Sequence, residues 1–496
     1  IIMKKIYLSL FIVSLFQACT SDMDEVLLPD EIRMNKVMTR QASDGEYDLL
    51  GFSYDITGDY LHVDNAKKMV VDIKSFIEDP KNKDRFYNPA TIIANEDFYA
   101  GANVEEFLQE IKDKRITEGS SGLKIGPLSL SGSAKVTKEK NERYSYSNKY
   151  SFARVDIIKR IKRLYLDVVD ANDLIPYLSV AFIENLNKMT PQQFVEEYGT
   201  HVLLDISIGG RLQFNYRSVI TETDSNTEKK KIVEAGAKTS IGIFGASGSG
   251  SHETTEIKNL NKKNSNWDVQ ISYHGGTNSG LNYSLTSTEG LTNIQFNKTQ
   301  WEESVNDRNA ALVDINWSKT FPIYEFIADA TKKQQIKKAV ENYLEGKKLQ
   351  TMNLIPMYAL FDLNVYDCFY TTNLKEYLSY PINNVTKHGA CFYVHKTQEP
   401  NTIPIYRVYD ASGHDHIYIV RGGEAELNQY LPWTQYEGIE GYVYSPYQTP
   451  PAGTIPVYAF FAEESLNCIL ITDEKEIPSY SEWCIYNGIL FYAYPV

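Results

Sequence analysis

The sequence predicts an α+β protein in two parts: an N-terminal domain built on an antiparallel sheet, and an all-β C-terminal domain with internal threefold symmetry. Three observations lead to this prediction. The chain has 496 residues, enough for at least two hydrophobic cores. Its 36 Tyr exceed the 21 Phe and 5 Trp, and tyrosine is enriched in long strands. An Ile-Pro-x-Tyr pattern, in which x is any residue, occurs three times after residue 350.

The N-terminal residues predict targeting rather than folded structure. Two lysines precede an apolar run over residues 6–16, which is too short to span a bilayer as a helix. We therefore expect a lipoprotein signal peptide over residues 1–18. The run ends in Phe-Gln-Ala-Cys, which resembles a lipoprotein cleavage site with Cys19 as the lipidated residue; an ordinary secretory signal with an incidental cysteine is the alternative. The polar residues 19–44 are expected to form a flexible tether, and their acidic start indicates display at the outer membrane surface or release from the cell.

Composition and motif spacing argue against several other classes of protein. A formal net charge of -14 disfavours binding to the phosphate backbone of nucleic acids. The chain has 8 His, none in a convincing ligand or triad spacing, so we expect neither an enzyme nor a bound metal or cofactor. The tripeptide His-Asp-His at 414–416 is the nearest approach to a metal site, but the corresponding tripeptide at 366–368 favours a repeated turn.

A helix followed by a long strand is predicted in the middle of the N-terminal domain. Thr190 and Gln193 form a capping box, with a proline at the first helical position between them. The helix leads into a segment of strand composition that ends near Val219. Gly209 and Gly210 interrupt this segment, and adjacent glycines inside a strand indicate a bend or a close backbone approach.

The residues around this strand carry a family resemblance. The motif consists of Tyr198, Gly199, Thr200, His201, Gly209 and Gly210. It is similar to the signature of the membrane attack complex/perforin (MACPF) family, although Val202 stands where the family usually has an aromatic residue. The resemblance implies a domain over 45–348 with a bent, four-stranded antiparallel sheet like that of the cholesterol-dependent cytolysins. It also implies two flanking segments that are helical in the soluble protein and become transmembrane β-hairpins when a ring assembles.

The first segment that the resemblance assigns to insertion alternates in polarity. Even positions over 126–136 and 144–152 are mostly apolar, whereas most odd positions carry Ser or Lys. A charged stretch at 137–143 separates the two runs, each of which is close to the about 9–11 residues of a membrane strand. The candidate lipid-facing residues are Leu128, Leu130, Val136, Tyr144, Tyr146, Tyr150 and Phe152. An amphipathic hairpin packed on the protein's own core would give the same alternation.

The second segment is less regular. Odd positions over 233–249 are uncharged, and Ile241 and Ile243 are the candidate membrane-facing residues. The return strand over 252–264 has no clean alternation and carries several charged residues, so only one membrane strand is clearly indicated. The small residues at 245–251 form helices poorly, and we expect partly irregular structure there in the soluble protein.

The C-terminal region, residues 349–496, is internally repeated. Copies of the Ile-Pro-x-Tyr pattern begin at Ile355, Ile403 and Ile455, at spacings of 48 and 52 residues. Such copies indicate pseudo-threefold symmetry, and a β-trefoil or β-prism fits best because one copy alone buries too little apolar surface. The polar turn residues at equivalent positions, Asp367, Asp415 and Asn467, are candidate ligand-binding residues. Modules of this type are often lectin-like, so the expected partner is a target membrane or a cell-surface glycan or lipid headgroup.

Four cysteines besides Cys19 lie in the C-terminal region. Cys368 and Cys391 belong to copy one, Cys468 and Cys484 belong to copy three, and copy two has none. This distribution predicts disulfides within a copy, formed in an oxidising compartment. Four buried free thiols are the alternative.

Two functional hypotheses follow from these patterns. The leading one is a pore-forming surface lipoprotein that oligomerises into a ring or arc, inserts β-hairpins into target membranes and acts as an antibacterial toxin, with the C-terminal region as its targeting module. The alternative is a non-lytic adhesion or surface-binding protein that keeps the MACPF fold without inserting. The alternation over 126–152 favours the first hypothesis, and the irregular return strand at 252–264 favours the second.

Overall fold

The predicted α+β class is confirmed by the computed structural model, which describes residues 45–58, 61–115, 146–168, 170–243, 255–287, 297–462, 467–482 and 484–496. Within these residues the strands, in chain order, are β1 (Phe52–Tyr54), β2 (Ala66–Met69), β3 (Phe86–Tyr87), β4 (Ala90–Gly101), β5 (Tyr150–Leu166), β6 (His201–Val202), β7 (Asp205–Val219), β8 (Ser265–His274), β9 (Asn282–Thr286), β10 (Ala311–Ile315), β11 (Phe321–Pro322), β12 (Leu354–Asp362), β13 (Asp367–Thr371), β14 (Val385–His395), β15 (Thr402–Asp410), β16 (Asp415–Ile419), β17 (Gln435–Tyr444), β18 (Ile455–Ala462), β19 (Asn467–Ile471) and β20 (Ile485–Ala493).

The α-helices of the same residues are α1 (Ile73–Glu78), α2 (Val104–Arg115), α3 (Val180–Lys188), α4 (Pro191–Tyr198), α5 (Asn226–Ile243), α6 (Thr255–Asn261), α7 (Lys298–Ser304), α8 (Ala330–Gly346), α9 (Leu374–Ser379), α10 (Gly423–Tyr430) and α11 (Ile477–Ser481). Short 3-10 helices cover Val63–Asn65, Pro80–Asn82, Ala171–Tyr177, Trp317–Lys319, Ile323–Phe326 and Glu474–Glu476.

Four long antiparallel strands form the centre of the N-terminal part, in the order β4-β5-β7-β8. They match the predicted four-stranded sheet, and the shorter strands β3, β9 and β10 pair at its margins. β5 and β7 pair without interruption from Tyr150 opposite Val219 to Arg160 opposite Gly209. The register then shifts between Arg160 and Lys162, so β5 bulges opposite the glycine pair. The glycine pair therefore lies beside the interruption of the ladder, and the bend itself stays a prediction.

The two faces of this central sheet differ in polarity, because side chains alternate along each strand. One face is apolar, with residues such as Val155, Phe214 and Ile271, and α5 and α7 pack on it. The other face buries a set of charged and amide side chains: Arg154, Asp156, Arg211, Gln213, Asn215 and Arg217. Within this set, Asp156 Oδ1 accepts hydrogen bonds from Arg154 Nε (2.9 Å) and Gln213 Nε2 (3.2 Å). Buried charge needs such partners, so hydrogen bonds stabilise this face.

The predicted helix before the central strand is confirmed as α4. Its capping box is complete: Thr190 Oγ1 accepts from the N–H of Gln193 (3.3 Å), and Gln193 Oε1 accepts from the N–H of Thr190 (3.1 Å). α4 lies beside a small sheet of order β11-β6-β1-β2. α8 packs on α4 and buries Ile336, Val340 and Leu344 in the same core.

Each copy of the C-terminal repeat forms a three-stranded antiparallel unit with one short helix. In copy one, β12 pairs with β13 on one side and with β14 on the other. Copies two and three repeat this arrangement with β15-β16-β17 and β18-β19-β20. Bridges from His395 to Tyr442 and from Tyr444 to Tyr492 join the three units. The region repeats as predicted but is not entirely β, because α9, α10 and α11 each lie between the second and third strands of a unit.

The structure explains the Ile-Pro-x-Tyr pattern. The x residues, Met357, Ile405 and Val457, are 1%, 2% and 0% exposed and meet in one apolar core shared by the three copies. The following tyrosine points to the opposite face of its strand, where the helix of the same copy packs. The pattern therefore alternates between the shared core and the outer layer.

Candidate functional site

The candidate site is one end of the central sheet, which we call the hairpin end. It is formed by Gly101 of β4, Tyr150 of β5, Val219 of β7 and Ser265 of β8, which meet in the register of the sheet. Both segments predicted to insert leave the sheet there. The first begins with α2 after β4, and the second comprises α5 and α6 between β7 and β8.

The last residues of the first segment are buried in this structure. Tyr146, Tyr150 and Phe152 are 4%, 5% and 1% exposed. Phe107 of α2 stacks on Phe152 with ring centroids 5.9 Å apart, and the Arg217 guanidinium lies 4.1 Å from the Tyr150 ring centroid. These contacts pack α2 against the sheet. The remaining candidates of the segment, Leu128, Leu130, Val136 and Tyr144, lie outside the described residues, as does Cys19.

The second segment forms the helix α5. Ile232, Val233 and Ala237 are buried at helical spacing against the apolar face of the central sheet. Gly236 also faces the sheet, since a β-carbon there would lie 2.4 Å from the Tyr216 hydroxyl oxygen. The sequence of this segment therefore carries a helical periodicity as well as the alternation that predicts a strand.

Ile241 and Ile243 fall in the last turn of α5. The membrane role of the two isoleucines stays a prediction.

The polarity of one sheet face changes at the hairpin end. On β5 the even positions change from Phe152 to Arg154, and on β7 the odd positions of the same face change from Val219 to Arg217. Phe152 pairs with Arg217 and Tyr150 pairs with Val219, so the two changes occur within one residue pair of each other. Counted along an extended chain, the even positions over 144–152 and the odd positions over 233–249 would continue this face. Their contact with lipid stays a prediction.

Two motif residues close the connection between α4 and the strands. Tyr198 is fully buried, and its ring stacks on Phe194 with centroids 4.7 Å apart. Gly199 ends α4 with a φ of 72°, a region that favours glycine. A β-carbon there would lie 2.8 Å from the backbone nitrogen of Asp55. Both residues serve the fold, and neither is placed to perform chemistry.

Thr200 and His201 continue this connection. Thr200 Oγ1 accepts from the N–H of Ile56 (3.3 Å) and lies 2.9 Å from His201 Nδ1. His201 is 2% exposed, and burial lowers its pKa to about 4, so the ring is neutral at pH 7. The histidine therefore belongs to a buried hydrogen-bonded connection.

Gly209 and Gly210 are required by close contacts on both sides of β7. A β-carbon on Gly209 would lie 1.9 Å from the carbonyl oxygen of Lys159 in the neighbouring strand. A β-carbon on Gly210 would lie 2.5 Å from Cγ2 of Val305, just beyond α7. The predicted close backbone approach is therefore present at the first glycine, and close helix packing is present at the second.

A second glycine pair, which directly follows β8, meets the first. Gly275 and Gly276 have φ values of 73° and 72°. The indole Nε1 of Trp301 on α7 donates to the Gly275 carbonyl (3.3 Å). A β-carbon on Gly276 would lie 2.9 Å from the same indole nitrogen. Four glycines and α7 therefore form one closely packed unit at the bend, which sequence reasoning had only partly identified.

The two edges of the central sheet differ. β4 pairs only with β5 in the part of the chain that the structure describes, and Ile92 and Ile93 on β4 are 80% and 51% exposed. At the opposite edge, the short strand β9 covers β8 from Asp268 to Ser272. An uncovered edge strand is a template for pairing with another chain.

The C-terminal sheet is bonded to the hairpin end. Lys149 Nζ donates to the Pro495 carbonyl (2.7 Å) and lies 5.3 Å from the Tyr393 ring centroid. The Tyr358 hydroxyl donates to the Thr221 carbonyl (2.8 Å). Further hydrogen bonds join Asn148 to Leu354 and Asn266 to Val496. Strands that grew past the hairpin end would displace these contacts.

The three candidate ligand-binding residues meet inside the repeat. Asp367, Asp415 and Asn467 are 4%, 6% and 1% exposed. Asp367 Oδ1 accepts from the N–H of His416 (3.3 Å), and Asn467 Oδ1 accepts from the N–H of Cys368 (2.7 Å), so each bonds a neighbouring copy. Burial and the nearby Asp367 carboxylate raise the pKa of Asp415 to about 8. Instead of three separate pockets there is one buried cluster, and its ligand-binding role stays a prediction.

The cysteines of the C-terminal region are free thiols, so the predicted disulfides within a copy are wrong. Cys368 lies on β13 and Cys391 on β14, on opposite sides of β12. Strands two apart in a sheet are separated by about 10 Å, beyond the about 7 Å between Cα atoms that a disulfide spans. Cys468 on β19 and Cys484 next to β20 are separated by β18 in the same way.

A buried ion cluster in copy two was not predicted. Arg407 is 6% exposed and contacts the carboxylates of Glu376 (3.0 Å), Glu437 (2.8 Å) and Glu440 (2.8 Å). Glu376 belongs to copy one, so the cluster joins two copies. A signal for it exists in the sequence: the fourth residue after the repeat isoleucine is Ala in copies one and three but Arg in copy two.

Among the described side chains, no three His, Cys, Asp or Glu residues are arranged to hold a metal ion. None of the described helices is long and apolar enough to span a bilayer.

Two protein families match parts of this chain. Residues 47–353 match the MAC/Perforin domain family, and residues 325–444 match a domain of unknown function, DUF5648. A comparison with curated proteins finds no match. Among solved structures, the chain is similar to a protein described as a cell invasion protein with a MAC/Perforin domain from Bacteroides thetaiotaomicron, at 17% identity over 68% of this chain and 69% of that chain, with a TM-score of 0.48. It is also similar to GNIP1Aa from Chromobacterium piscinae, at 13% identity over 89% of this chain and 82% of that chain, with a TM-score of 0.45.

The family match extends over more than half of the chain. It includes the central sheet, the motif that ends α4, the glycine pair at the bend and both segments that leave the hairpin end. The chain therefore belongs to the MAC/Perforin domain family.

Proposed function

We propose that this protein is a pore-forming surface lipoprotein that oligomerises and inserts β-hairpins from the two segments at the hairpin end. One observation carries the proposal: the polarity of the sheet face changes on β5 and on β7 within one residue pair of each other. A strand in a bilayer needs one apolar face along its whole length. The alternations of the two segments would supply such a face independently, and the pairing of Tyr150 with Val219 supports an arrangement in which the two segments extend side by side.

The first arm of the first hairpin requires an adjustment of register. Odd positions of β4 share a face with even positions of β5, as in the pair Tyr99 and Arg154. In the arm over 126–136, however, the even positions are apolar. One residue must therefore bulge out between Gly101 and this arm. The residues of α2, which lie between the two, provide room for that bulge when the helix unfolds.

Assembly through the edges of the central sheet fits the same proposal. In the part of the chain that the structure describes, β4 pairs with β5 alone, so its other edge can accept a strand from a second copy, whereas β9 covers the opposite edge of the sheet. Displacement of β9, which has only five residues, would let β8 of one copy pair with β4 of the next. A ring or arc of copies then forms with continuous backbone hydrogen bonds.

Sequence patterns support the remaining parts of the proposal. Cys19 would carry the lipid that anchors the protein at the outer membrane, with residues 19–44 as its tether. The MACPF domain would cover 45–348, and residues 349–496 would form a targeting module for the membrane or surface of competing bacteria. In this role the protein is an antibacterial toxin.

Dye release from liposomes made with candidate target lipids tests the proposal, alongside negative-stain imaging of the same samples. We expect release together with rings or arcs on the membranes. Membrane-bound protein that neither assembles nor releases dye, across lipids extracted from several competing bacteria, would contradict pore formation.

A non-lytic binding protein is the second candidate, and the return part of the second segment favours it. α6 carries charged residues at Glu256 and Lys258, and Lys262 and Lys263 follow. As a strand, this part would place charge on both faces. Binding of target cells that is saturable but never accompanied by release distinguishes this candidate from the pore.

A further inference from the structure

The outer face of the C-terminal repeat carries an equivalent tyrosine in each copy. Register places Tyr393 opposite Pro356 in copy one, Tyr442 opposite Pro404 in copy two, and Tyr492 opposite Pro456 in copy three. The tyrosine of the Ile-Pro-x-Tyr pattern lies on the same face, two positions along the strand from the proline. Each copy thus presents a pair of tyrosines in the same arrangement, and the copies can be compared directly.

In copy one this face is already occupied, and its occupants are ammonium groups. Lys149 Nζ, from the first insertion segment, lies 5.3 Å from the Tyr393 ring centroid. Lys387 Nζ, from copy one itself, lies 5.1 Å from the ring centroid of Tyr377 on α9. Both distances are within the range in which a cation is attracted to an aromatic ring. Copy one therefore shows what chemistry the face accepts.

Copies two and three have a third tyrosine where copy one has Lys387. Register places Lys387 opposite the fifth residue after the repeat isoleucine, and the equivalent residues are Tyr436 and Tyr486. Tyr436 is 45% exposed with its ring centroid 6.4 Å from that of Tyr406, and Tyr486 is 42% exposed with its centroid 6.4 Å from that of Tyr458. Copies two and three therefore share one arrangement of tyrosines, and neither has a lysine at the position that Lys387 holds in copy one.

The charge of one carboxylate acts on each of these tyrosine groups. Glu424 raises the pKa of Tyr406, and Glu474 raises the pKa of Tyr458, each after the larger effect of burial. Both glutamates are exposed, and neither makes an ion pair with another described residue. The whole region is acidic: residues 351–496 contain 16 Asp and Glu but six Lys and Arg, so they hold -10 of the formal net charge of -14. The local field therefore favours a cation.

We propose that copies two and three each form a binding site for an alkylammonium group. The site of copy two consists of Tyr406, Tyr436, Tyr442 and Glu424, and that of copy three consists of Tyr458, Tyr486, Tyr492 and Glu474. Aromatic rings beside a carboxylate recognise such groups, of which the choline headgroup of a lipid and the lysine side chain are the common sources. Two sites on one chain would bind a surface that displays the group more tightly than either site alone.

This inference names a ligand for the targeting role proposed above, but the binding itself does not depend on pore formation. The probes are choline chloride and Nα-acetyl-lysine amide, titrated into the full-length protein by calorimetry, with glucose and acetate as controls. We expect a response to at least one ammonium compound and none to the controls. Response to choline alone points to lipid headgroups, and response to the lysine compound alone points to protein surfaces. No response to either compound overturns the proposal.

Comparison of the three copies suggests two matched double variants. Tyr436→Lys with Tyr486→Lys installs in copies two and three the residue that copy one carries, so the fold is expected to tolerate it. An ammonium group built into each site should weaken binding of the probe at least tenfold. Tyr366→Lys with Tyr447→Lys makes the same change of charge at residues that are 60% and 77% exposed and outside both sites. Equal loss in both double variants would show a general effect of charge and would overturn the assignment.

Binding and release of dye are measured on the same phosphatidylcholine and phosphatidylglycerol vesicles. Preferential binding to phosphatidylcholine without release would support the ammonium sites and count against the pore. Release that is unaffected by the Tyr436 and Tyr486 variant would support the pore and count against the ammonium sites.

Discussion

A β-carbon on Gly275 would lie 2.5 Å from the carbonyl oxygen of Gly209. Only glycine permits this contact, which joins the end of β8 to the bend of β7. Close contacts of this kind also limit which substitutions can test the role of these glycines. A side chain at Gly209 would meet the backbone of Lys159 at 1.9 Å, so valine there should prevent folding rather than block a later motion.

The other glycine of the bend allows a cleaner experiment. Gly210→Ala should lower the thermal unfolding temperature, because its β-carbon would lie 2.5 Å from Cγ2 of Val305. Gly210→Ala combined with Val305→Ala should recover much of that loss, since the opposing methyl groups are removed. If the glycine is needed for the sheet to open, the double variant will fold but release dye slowly. Full recovery of dye release would assign Gly210 to packing alone.

Charge on the predicted lipid face should block insertion. Leu130→Arg places an arginine where the alternation predicts lipid, at a cost of about 2–4 kcal/mol at the middle of the bilayer. Ser131→Arg is the matched control on the opposite face and should have a mild effect. Dye release and vesicle binding are compared for the two variants, and equal loss in both would contradict the assignment of faces.

Weakening the contacts between the C-terminal sheet and the hairpin end should make dye release begin sooner. Tyr358→Phe removes the hydrogen bond from its hydroxyl to the Thr221 carbonyl, which contributes about 0.5–1.5 kcal/mol in typical proteins. If the C-terminal sheet must separate before the strands extend, dye release should begin about two- to tenfold sooner. Tyr447→Phe, at a residue that is 77% exposed, is the control and should change nothing. Slower release from Tyr358→Phe would show that the junction assists insertion.

Acid should destabilise the N-terminal part of the protein. Burial lowers the pKa of His201 to about 4, and burial together with Arg211, His62 and Arg154 lowers the pKa of His274 well below its usual range. A lowered histidine pKa gives stability that is present above pH 6.5 and is lost as pH falls towards the folded-state value. For His201 alone the loss at pH 5 is about 2 kcal/mol.

The urea midpoint measured between pH 7.5 and 5 checks this expectation. His201→Gln should be less stable at pH 7.5 but should show a flatter dependence on pH. If the urea midpoint of the unaltered protein does not decrease between pH 7.5 and pH 5, neither histidine is buried as described.

Local patterns predicted the elements that depend on neighbouring residues. The capping box at Thr190 formed as expected, because its partners are three residues apart. The glycine pair marked the close packing of β7 against its neighbours, since the missing side chains are visible in the sequence itself. The strand expected from His201 to Val219 is divided, however, because β6 pairs with β1 and β11 in a second sheet. This division depends on pairing with strands that are distant in the sequence, which local patterns do not reveal.

The errors in the C-terminal region have the same origin. Counting cysteines by copy suggested Cys368 with Cys391, but strand order within the copy, which spacing does not reveal, separates them. The polar residue Asp367 was expected at a surface turn and is instead 4% exposed, because a neighbouring copy covers it. Repetition reveals which positions are equivalent, but not whether they face solvent or each other.

The continuous pairing of β5 with β7 between Tyr150 and Arg160 bears on the kinetics of insertion. Pairing of distant strands is normally slow, because a chain must lose the entropy of a long loop before any contact rewards it. Here Tyr150 already lies opposite Val219, so that entropy was lost when the soluble protein folded. The second arm of the first hairpin and the first arm of the second hairpin would start from this existing pair and add residue pairs one after another. The first arm of the first hairpin would still need the bulge proposed above. Release of the helices would then limit the rate, and strand formation would not.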